Sequence, residues 1–216
     1  MSLAICVMAK APVPGQVKTR LCPPLTEKQA AELSAAFLLD VWRAACALSD
    51  ARVLLSYSGE RKAFPAQLTR VDGFHQQGDD LGARIEHTAR FGLSRASRVL
   101  VIGSDLPGLS TSCLQTARTK LETHDAVLGP SIDGGFYLIG LSRCPPGLLA
   151  NLPWSMPNTY EATYHRLREQ RFRVAHAPRF DDVDTIDDLM ALRSSIVVGS
   201  LLAPSSAEVL AQITCI

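Results

Sequence analysis

Three cations stand close together near the start of the chain, in a loop that follows a short apolar run. Lys10, Lys18 and Arg20 fall within eleven residues that contain no acidic side chain. Two prolines stiffen this loop, and Gly15 lets its backbone approach a ligand closely. Arginine binds phosphate through two hydrogen bonds and lysine acts as a point charge, so the loop favours a phosphate-rich ligand. The alternative is an ordinary solvated basic loop.

A single carboxylate follows another apolar run. Asp105 comes after residues 98–103, in the motif Gly-Ser-Asp-Leu-Pro-Gly. Mg²⁺ prefers oxygen ligands and commonly takes one or two carboxylates together with substrate phosphates. Asp105 is therefore a candidate metal ligand. The alternative is that it caps a turn that Pro107 continues.

Acidic residues are densest in a segment near the C-terminal end of the chain. Residues 181–188 hold five aspartates, which repel one another unless a cation or a helix N-terminus offsets them. Asp187 and Asp188 fall in the first turn of a predicted helix, where the helix dipole stabilises their negative charges. Asp182 and Asp184 precede that helix, so one of them could be a second metal ligand. Capping of the helix by Asp184 is the alternative.

A fourth candidate is the stretch Asp133-Gly134-Gly135 between two predicted strands. Asp-Gly is a common turn signal, so a plain turn explains it. Two glycines also allow backbone N–H groups to approach a bound sugar or phosphate.

Apolar runs and helical periodicity predict the elements that position these residues. The predicted strands are 3–8, 52–57, 98–103, 126–128, 136–141 and 172–175, with a short strand near His75. The predicted helices are one from Thr26 with a capping box to Gln29, 81–94, 112–123, 160–170, 185–193 and a last one from Pro204. Strands that alternate with helices indicate an α/β fold, with an open, mostly parallel sheet covered on both faces. Ligands of such sheets bind beyond the carboxyl ends of the strands, where the first three candidates fall, and the fourth joins two strands.

Composition narrows the classes of protein. Hydrophobic residues make up 47% of the 216 residues, enough for a sizeable core, and the net charge of +1 does not suggest a nucleic-acid or membrane-surface binder. The six cysteines show no zinc-type spacing, and the first apolar run is too short for a signal peptide, which together predict a cytoplasmic protein. The chain lacks GxGxxG after its first strand, GxxxxGK[ST] and GxSxG, which argues against dinucleotide oxidoreductases, P-loop enzymes and serine hydrolases.

The four stretches, in this order and spacing, resemble a bacterial family of glycosyltransferases within the nucleotide-diphospho-sugar transferase superfamily, which has the GT-A fold. Its members are labelled DUF2064, selenium- and radical-SAM-associated transferases, or arsenosugar-type glycosyltransferases. The resemblance covers about residues 3–193, with Phe136 where tyrosine is usual. It implies one domain over 1–216, with 193–216 as a tail or helix outside the match.

The resemblance also implies roles for the residues of the four stretches. Asp105 is similar to the metal-binding aspartate of the superfamily, with Asp184 or Asp182 as its partner, and Mg²⁺ or Mn²⁺ as the cofactor. We expect nucleotide binding by Lys10, Gly15, Lys18, Arg20 and Ser104. We expect substrate binding by Asp133, Gly134 and Gly135, and catalytic roles for Asp105, Asp133 and Lys18.

The activity that these expectations favour is metal-dependent glycosyl transfer from a nucleotide-diphospho-sugar to a small-molecule acceptor of unknown identity. The pattern is also similar to nucleotidyltransferases that make molybdenum or deazaflavin cofactors, in which a basic loop after strand one grips a nucleoside triphosphate. Nucleotidyl transfer from a guanosine or cytidine triphosphate therefore stays open as the alternative. A nucleotide-binding module without catalysis is a third reading, and the presence of both Asp105 and Asp184 argues against it.

Overall fold

The computed structural model describes residues 2–214; residues 1 and 215–216 of the predicted domain lie outside them. The strands are β1 Leu3–Lys10, β2 Ala51–Ser58, β3 Gly73–His75, β4 Arg98–Ile102, β5 Ala126–Pro130, β6 Phe136–Leu141 and β7 Val174–His176. The helices are α1 Glu27–Cys46, α2 Leu81–Leu93, α3 Thr111–Thr123, α4 Thr159–Glu169, α5 Ile186–Val197 and α6 Pro204–Ala211.

The strands form one seven-stranded sheet in the order β3-β2-β1-β4-β6-β5-β7. All neighbouring pairs are parallel except those made by β6, which runs antiparallel to both β4 and β5. The predicted open, mostly parallel α/β sheet is therefore confirmed. Because Ile102 pairs with Leu138, β6 begins at the edge of the sheet where β4 ends.

Helices cover both faces of this sheet, as the apolar strands require. Leu3, Ile5 and Val7 of β1 point into one core, which α1 and α3 cover with Leu38, Val41, Leu114 and Ala117. Ala4 and Cys6, from the same strand, point into the opposite core with Ile85 and Ala89 of α2 and Leu167 of α4. Alternate residues of one strand thus supply both cores.

A third, smaller core lies beside α1 and holds the C-terminal helices. Phe37 and Leu33 of α1 pack there with Leu189 of α5 and Leu210 of α6. The segment predicted as a tail outside the resemblance thus contributes to a buried cluster, and its predicted helix begins at Pro204 as expected.

Side-chain caps fix where several helices begin. Thr26 and Gln29 form the predicted capping box of α1.

The last strand, β7, starts two residues later than predicted, because Phe172, 2% exposed, packs into the core before the chain enters the sheet. No helix within residues 2–214 has the length and apolar character needed to cross a bilayer.

Candidate functional site

Four segments meet along one edge of the sheet and enclose a cleft of about 600 Å³. They follow β1, follow β4, connect β5 to β6, and follow β7, which are the four stretches singled out in the sequence. The predicted site residues that line the cleft are Lys10, Lys18, Arg20, Ser104, Asp105, Asp133, Gly135, Asp182 and Asp184. Gly15 and Gly134 do not line it.

Lys18 joins the two carboxylates expected to share a metal. Its Nζ donates a hydrogen bond to Asp184 Oδ1 at 2.7 Å and lies 2.8 Å from Asp105 Oδ2. The lysine side chain is 4% exposed, whereas the two aspartates are 37% and 41% exposed. Asp105 and Asp184, far apart in sequence, therefore approach each other across one cleft as expected.

The electrostatics of this cluster keep Lys18 charged. Burial by itself lowers the pKa of the lysine, but the charges of Asp105 and Asp184 and their hydrogen bonds outweigh that effect and leave the pKa above its ordinary value. Two carboxylates and one ammonium give the cluster a formal charge of −1. A cation can still be attracted there.

Local packing explains why these three side chains converge. Lys18 adopts a left-handed backbone (φ 48°), and the next turn buries Leu21 in the third core. Val183 is buried in the same core, and its N–H donates to the backbone oxygen of Asp105 at 3.0 Å. The loop after β1, the loop after β4 and the segment after β7 are thus tied together just below the cleft. A non-glycine residue in the left-handed region stores strain of about 1 kcal/mol, a feature that is frequent at functional sites.

The basic loop has internal partners that the sequence did not reveal. Lys10 donates to the backbone oxygen of Gln16 at 2.9 Å, and Arg20, whose side chain is 78% exposed, lies 3.8 Å from Asp184. Asp105 and Asp184 offset the charge of Lys18, and nucleotide binding by Lys18 stays a prediction. Arg20 and Lys10 keep charge available at the cleft.

The acidic segment divides into capping and cleft residues. Thr185, not Asp184, is the N-cap of α5, and it forms a capping box with Asp188. The alternative explanation of Asp184 as a helix cap is therefore wrong. Asp182 is half-buried beside Asp184, and both burial and that neighbouring charge raise its pKa to about 6.

The hairpin between β5 and β6 satisfies its own polar groups. Asp133 Oδ1 accepts from Ser131 Oγ at 2.5 Å and from Gly135 N at 2.9 Å, which is the plain-turn geometry. Gly134 has φ +83°, and a Cβ there would lie 1.9 Å from the backbone oxygen of Pro157. Close packing against the 153–159 segment explains this glycine, and its N–H points to Ser131 O within the turn at 3.4 Å. Substrate binding by Gly134 and Gly135 stays a prediction.

Part of the cleft comes from residues that the sequence reasoning missed. Gln76 follows β3 and donates to the backbone oxygen of Ser56 at 2.9 Å, and Trp154 and Met156 belong to the loop before α4. Gln76 could have been found, because it too follows a strand at the same edge. A tryptophan between prolines, at 153–157, was the available signal for the second group.

Divalent metal binding can be tested against the chemistry of these donors. Within residues 2–214, no group of three or more His, Cys, Asp or Glu side chains is arranged to hold a metal, so Asp105, Asp182 and Asp184 do not form such a group. Two carboxylates that already share one cation, together with phosphate oxygens from a ligand, are nevertheless a donor set that Mg²⁺ accepts. The residues fit a metal that arrives with a phosphorylated substrate.

A family model described as "Uncharacterized protein conserved in bacteria (DUF2064)" matches residues 41–156, more than half of the chain. The chain belongs to the DUF2064 family. No curated protein matches this DUF2064 chain significantly.

Solved structures extend the similarity over the whole fold. A provisionally named nucleotide-diphospho-sugar transferase from Desulfovibrio desulfuricans G20 is 31% identical, with a TM-score of 0.87, and the match covers 98% of this chain and 95% of that one. CMP:2-keto-3-deoxy-manno-octonic acid synthetase complexed with CTP shares the fold at 14% identity and a TM-score of 0.57, over 92% and 100% of the two chains. Rv0371C from Mycobacterium tuberculosis H37Rv, in complex with manganese, does so at 20% identity and a TM-score of 0.52, over 90% and 100%.

Proposed function

We propose that this DUF2064 protein is a transferase that binds a nucleotide through its diphosphate, with a divalent metal, and transfers a glycosyl group from a nucleotide-diphospho-sugar. The observation that carries the proposal is the Lys18 ammonium held between Asp105 and Asp184 in the lining of the cleft. The name of the Desulfovibrio relative supports it. The finer selenium- and radical-SAM-associated or arsenosugar label stays a prediction from sequence.

The residues of the cluster have complementary tasks in this reaction. When bound, Mg²⁺ or Mn²⁺ would offset charge on the diphosphate oxygens. Asp105 and Asp184 attract the cation, and Lys18 and Arg20 stabilise the negative charge that the leaving nucleoside diphosphate gains as the bond to the sugar breaks. Asp133 is our candidate for taking up the proton that the acceptor loses.

Nucleotidyl transfer is the second candidate, because a basic loop directly after β1 also suits a nucleoside triphosphate. The synthetase that shares the fold was solved with CTP, a nucleoside triphosphate. In that reaction the α-phosphorus forms the new bond and pyrophosphate leaves.

The released product distinguishes the two reactions. The protein is incubated with Mn²⁺ and either UDP- and GDP-sugars or nucleoside triphosphates, each with pooled small-molecule acceptors, and ³¹P NMR follows the mixture. Release of a nucleoside diphosphate from the sugar nucleotides supports glycosyl transfer, and release of pyrophosphate from a triphosphate replaces it with nucleotidyl transfer. Binding of nucleotides without either product would contradict both and leave a binding module.

A further inference from the structure

The cleft has a second, apolar part beside the charged cluster. We call it the apolar lobe; it consists of Leu81, Ile85, Phe136, Trp154 and Met156. Phe136 and Trp154 pack edge to face with ring centroids 6.0 Å apart, against the core that α2 covers. The lobe thus lies where the N-terminal end of α2 faces the start of β6.

Two residues of the apolar lobe are unusually exposed for their type. Leu81 is 45% and Met156 is 54% exposed, and Ile132, in the adjoining hairpin, is 67% exposed. Large apolar side chains left in water around a concave site mark binding surfaces, because a ligand that covers them removes apolar area from water. The other strongly exposed large hydrophobics of the described chain lie elsewhere, on α5 and after it: Met190, Val197, Val198 and Leu202.

The walls of the lobe are held in place by the protein itself. A Cβ on Gly82 would lie 2.6 Å from Trp154 Nε1, so α2 and the indole are already in direct contact. The 153–159 loop is tied to the hairpin by the Tyr160 N–H, which donates to the Gly134 oxygen at 2.8 Å. Inside this loop the Thr159 hydroxyl donates to the Met156 oxygen at 2.7 Å. A preformed apolar wall binds a rigid apolar group with little loss of side-chain freedom.

The opposite side of the cleft has different chemistry. Lys10, Ser58 and Gln76 line it near the ends of β1, β2 and β3. The Gln76 amide nitrogen already donates to two backbone oxygens, so its carbonyl oxygen, the Ser58 hydroxyl and the Lys10 ammonium are the groups suited to the edge of a nucleobase or to a ribose. Lys18, Asp105 and Asp184 lie in the charged cluster, which suits phosphates. The apolar lobe therefore remains for the substrate that is not a nucleotide.

We propose that the apolar lobe binds the second substrate, and that this substrate carries an aromatic or similarly flat apolar group next to the atom that reacts. The proposal rests on the proposed function, since it names the chemical class of the acceptor for that site. Phe136 and Trp154 supply ring edges and faces against which such a group packs. Met156 and Leu81 cover this group from the rim of the lobe. The flexible thioether of Met156 adapts to the shape of a ring.

Ligand-observed saturation-transfer NMR on the full chain tests this, with benzyl alcohol as the apolar probe and glycerol as the polar one. We expect the benzyl alcohol signal to fall at least threefold in Met156→Ala and in Phe136→Leu. Met190→Ala is the matched control, because Met190 is 51% exposed on α5, and it should leave the signal unchanged. Any glycerol signal should be the same in the native protein and in these variants.

Two results would overturn the proposal. One is an equal benzyl alcohol signal in the native protein and in both cleft variants; the other is displacement of benzyl alcohol by cytidine, uridine or guanosine, which would make the lobe the nucleobase site. Calorimetry with UDP, CDP and GDP in Mn²⁺ measures the proposed function separately. If the protein binds none of these nucleotides while the benzyl alcohol signals change as expected, the transferase assignment is contradicted. The apolar binding site is then still supported.

Discussion

Two acidic sites in this protein are built in opposite ways. Asp40 on α1, 1% exposed, accepts hydrogen bonds from Ser205 N and Ser206 N at 2.9 Å and from Ser206 Oγ at 2.6 Å. Asp40 thus caps α6 from another helix, because the N-cap residue of α6, Ala203, has no side chain that can accept a hydrogen bond. Asp105 and Asp184 are satisfied instead by the flexible end of one lysine.

The two acidic sites differ in what they do: Asp40 holds α6, whereas Asp105 and Asp184 can exchange their partner. Backbone N–H groups cannot leave Asp40 without unfolding α6, so that carboxylate is fixed. The Lys18 ammonium can rotate away from the cleft acids when a phosphate or a metal arrives, because only side-chain torsions change. Substitutions should therefore alter stability at Asp40 and ligand binding at the cleft.

The largest effect is expected for Asp40→Ala. Removing the carboxylate leaves the buried N–H and hydroxyl of Ser206, the half-buried N–H of Ser205 and the Arg43 guanidinium without this partner. The free energy of unfolding should fall by about 3 kcal/mol. Urea denaturation monitored by circular dichroism measures it. Glu32→Ala is the control, because this half-exposed acid on the same helix makes only a 3.8 Å pair with Lys28. A loss below about 1 kcal/mol for Asp40→Ala would mean that its hydrogen bonds do not hold α6.

Lys18→Met should change ligand binding more than stability. Loss of a charged hydrogen-bond donor should weaken binding of UDP or CDP about tenfold or more, since such bonds contribute about 1.5–3 kcal/mol. In the absence of nucleotide the same variant should bind Mn²⁺ more tightly than the native protein, because the lysine no longer neutralises Asp105 and Asp184.

Calorimetry measures both affinities, and Lys28→Met is the matched control because Lys28 does not line the cleft, is 81% exposed and pairs with Glu32 at 3.8 Å. Weaker Mn²⁺ binding in Lys18→Met would show that metal and lysine do not use the same carboxylates.

Asp105→Asn should fold normally and lose most of the increase in nucleotide affinity that Mg²⁺ or Mn²⁺ produces. Asparagine keeps the shape of the side chain but not the charge that attracts the metal. We expect this metal-dependent increase to fall about fivefold to tenfold by calorimetry, with metal and with chelator. The control is Asp187→Asn, an exposed acid in the first turn of α5. The same metal enhancement in Asp105→Asn as in the native protein would leave Asp105 as a residue of its loop only.

Arg20→Ala should have the smallest effect. Its side chain is 78% exposed and 3.8 Å from Asp184, so solvent and salt screen its charge. We expect a loss of nucleotide affinity of about threefold at low ionic strength that disappears in about 0.5 M salt. An effect that persists in high salt would indicate a direct, buried contact with phosphate.

Most of the fold was predictable from the sequence because the central strands are mostly apolar. Residues 3–8 and 98–103 could only be strands buried on both faces, and the loops at their ends then had to share one edge of the sheet. The reversal of β6 is encoded in its connection and not in the strand itself. Residues 129–135 are too few for the crossover that a parallel neighbour of β5 needs, and they contain the Asp-Gly turn signal.

The site was predictable in position but not in its connections. Three motifs at strand ends identified where Lys18, Asp105 and Asp184 lie. Their direct ion pairing depends on Leu21 and Val183 entering the same third core, a contact between distant parts of the chain that no local pattern reports. The apolar lobe was missed for a similar reason, because Trp154 and Leu81 meet only through the packing of the 153–159 loop on α2.

The reversed strand β6 separates two parts of the cleft that can change independently. The loops after β1 and β4 lead into crossover helices, so their length is constrained by the order of the sheet. The turn at 131–135 joins neighbouring strands, and its tip at Ile132 is 67% exposed. Lengthening such a tip is tolerated, since doubling a loop costs only about 0.6 kcal/mol. Residues inserted at this tip would adjoin the apolar lobe at the loss of the hydrogen bond from the Ile132 N–H to Asp181 Oδ1, and the loops that carry Lys18 and Asp105 would keep their length.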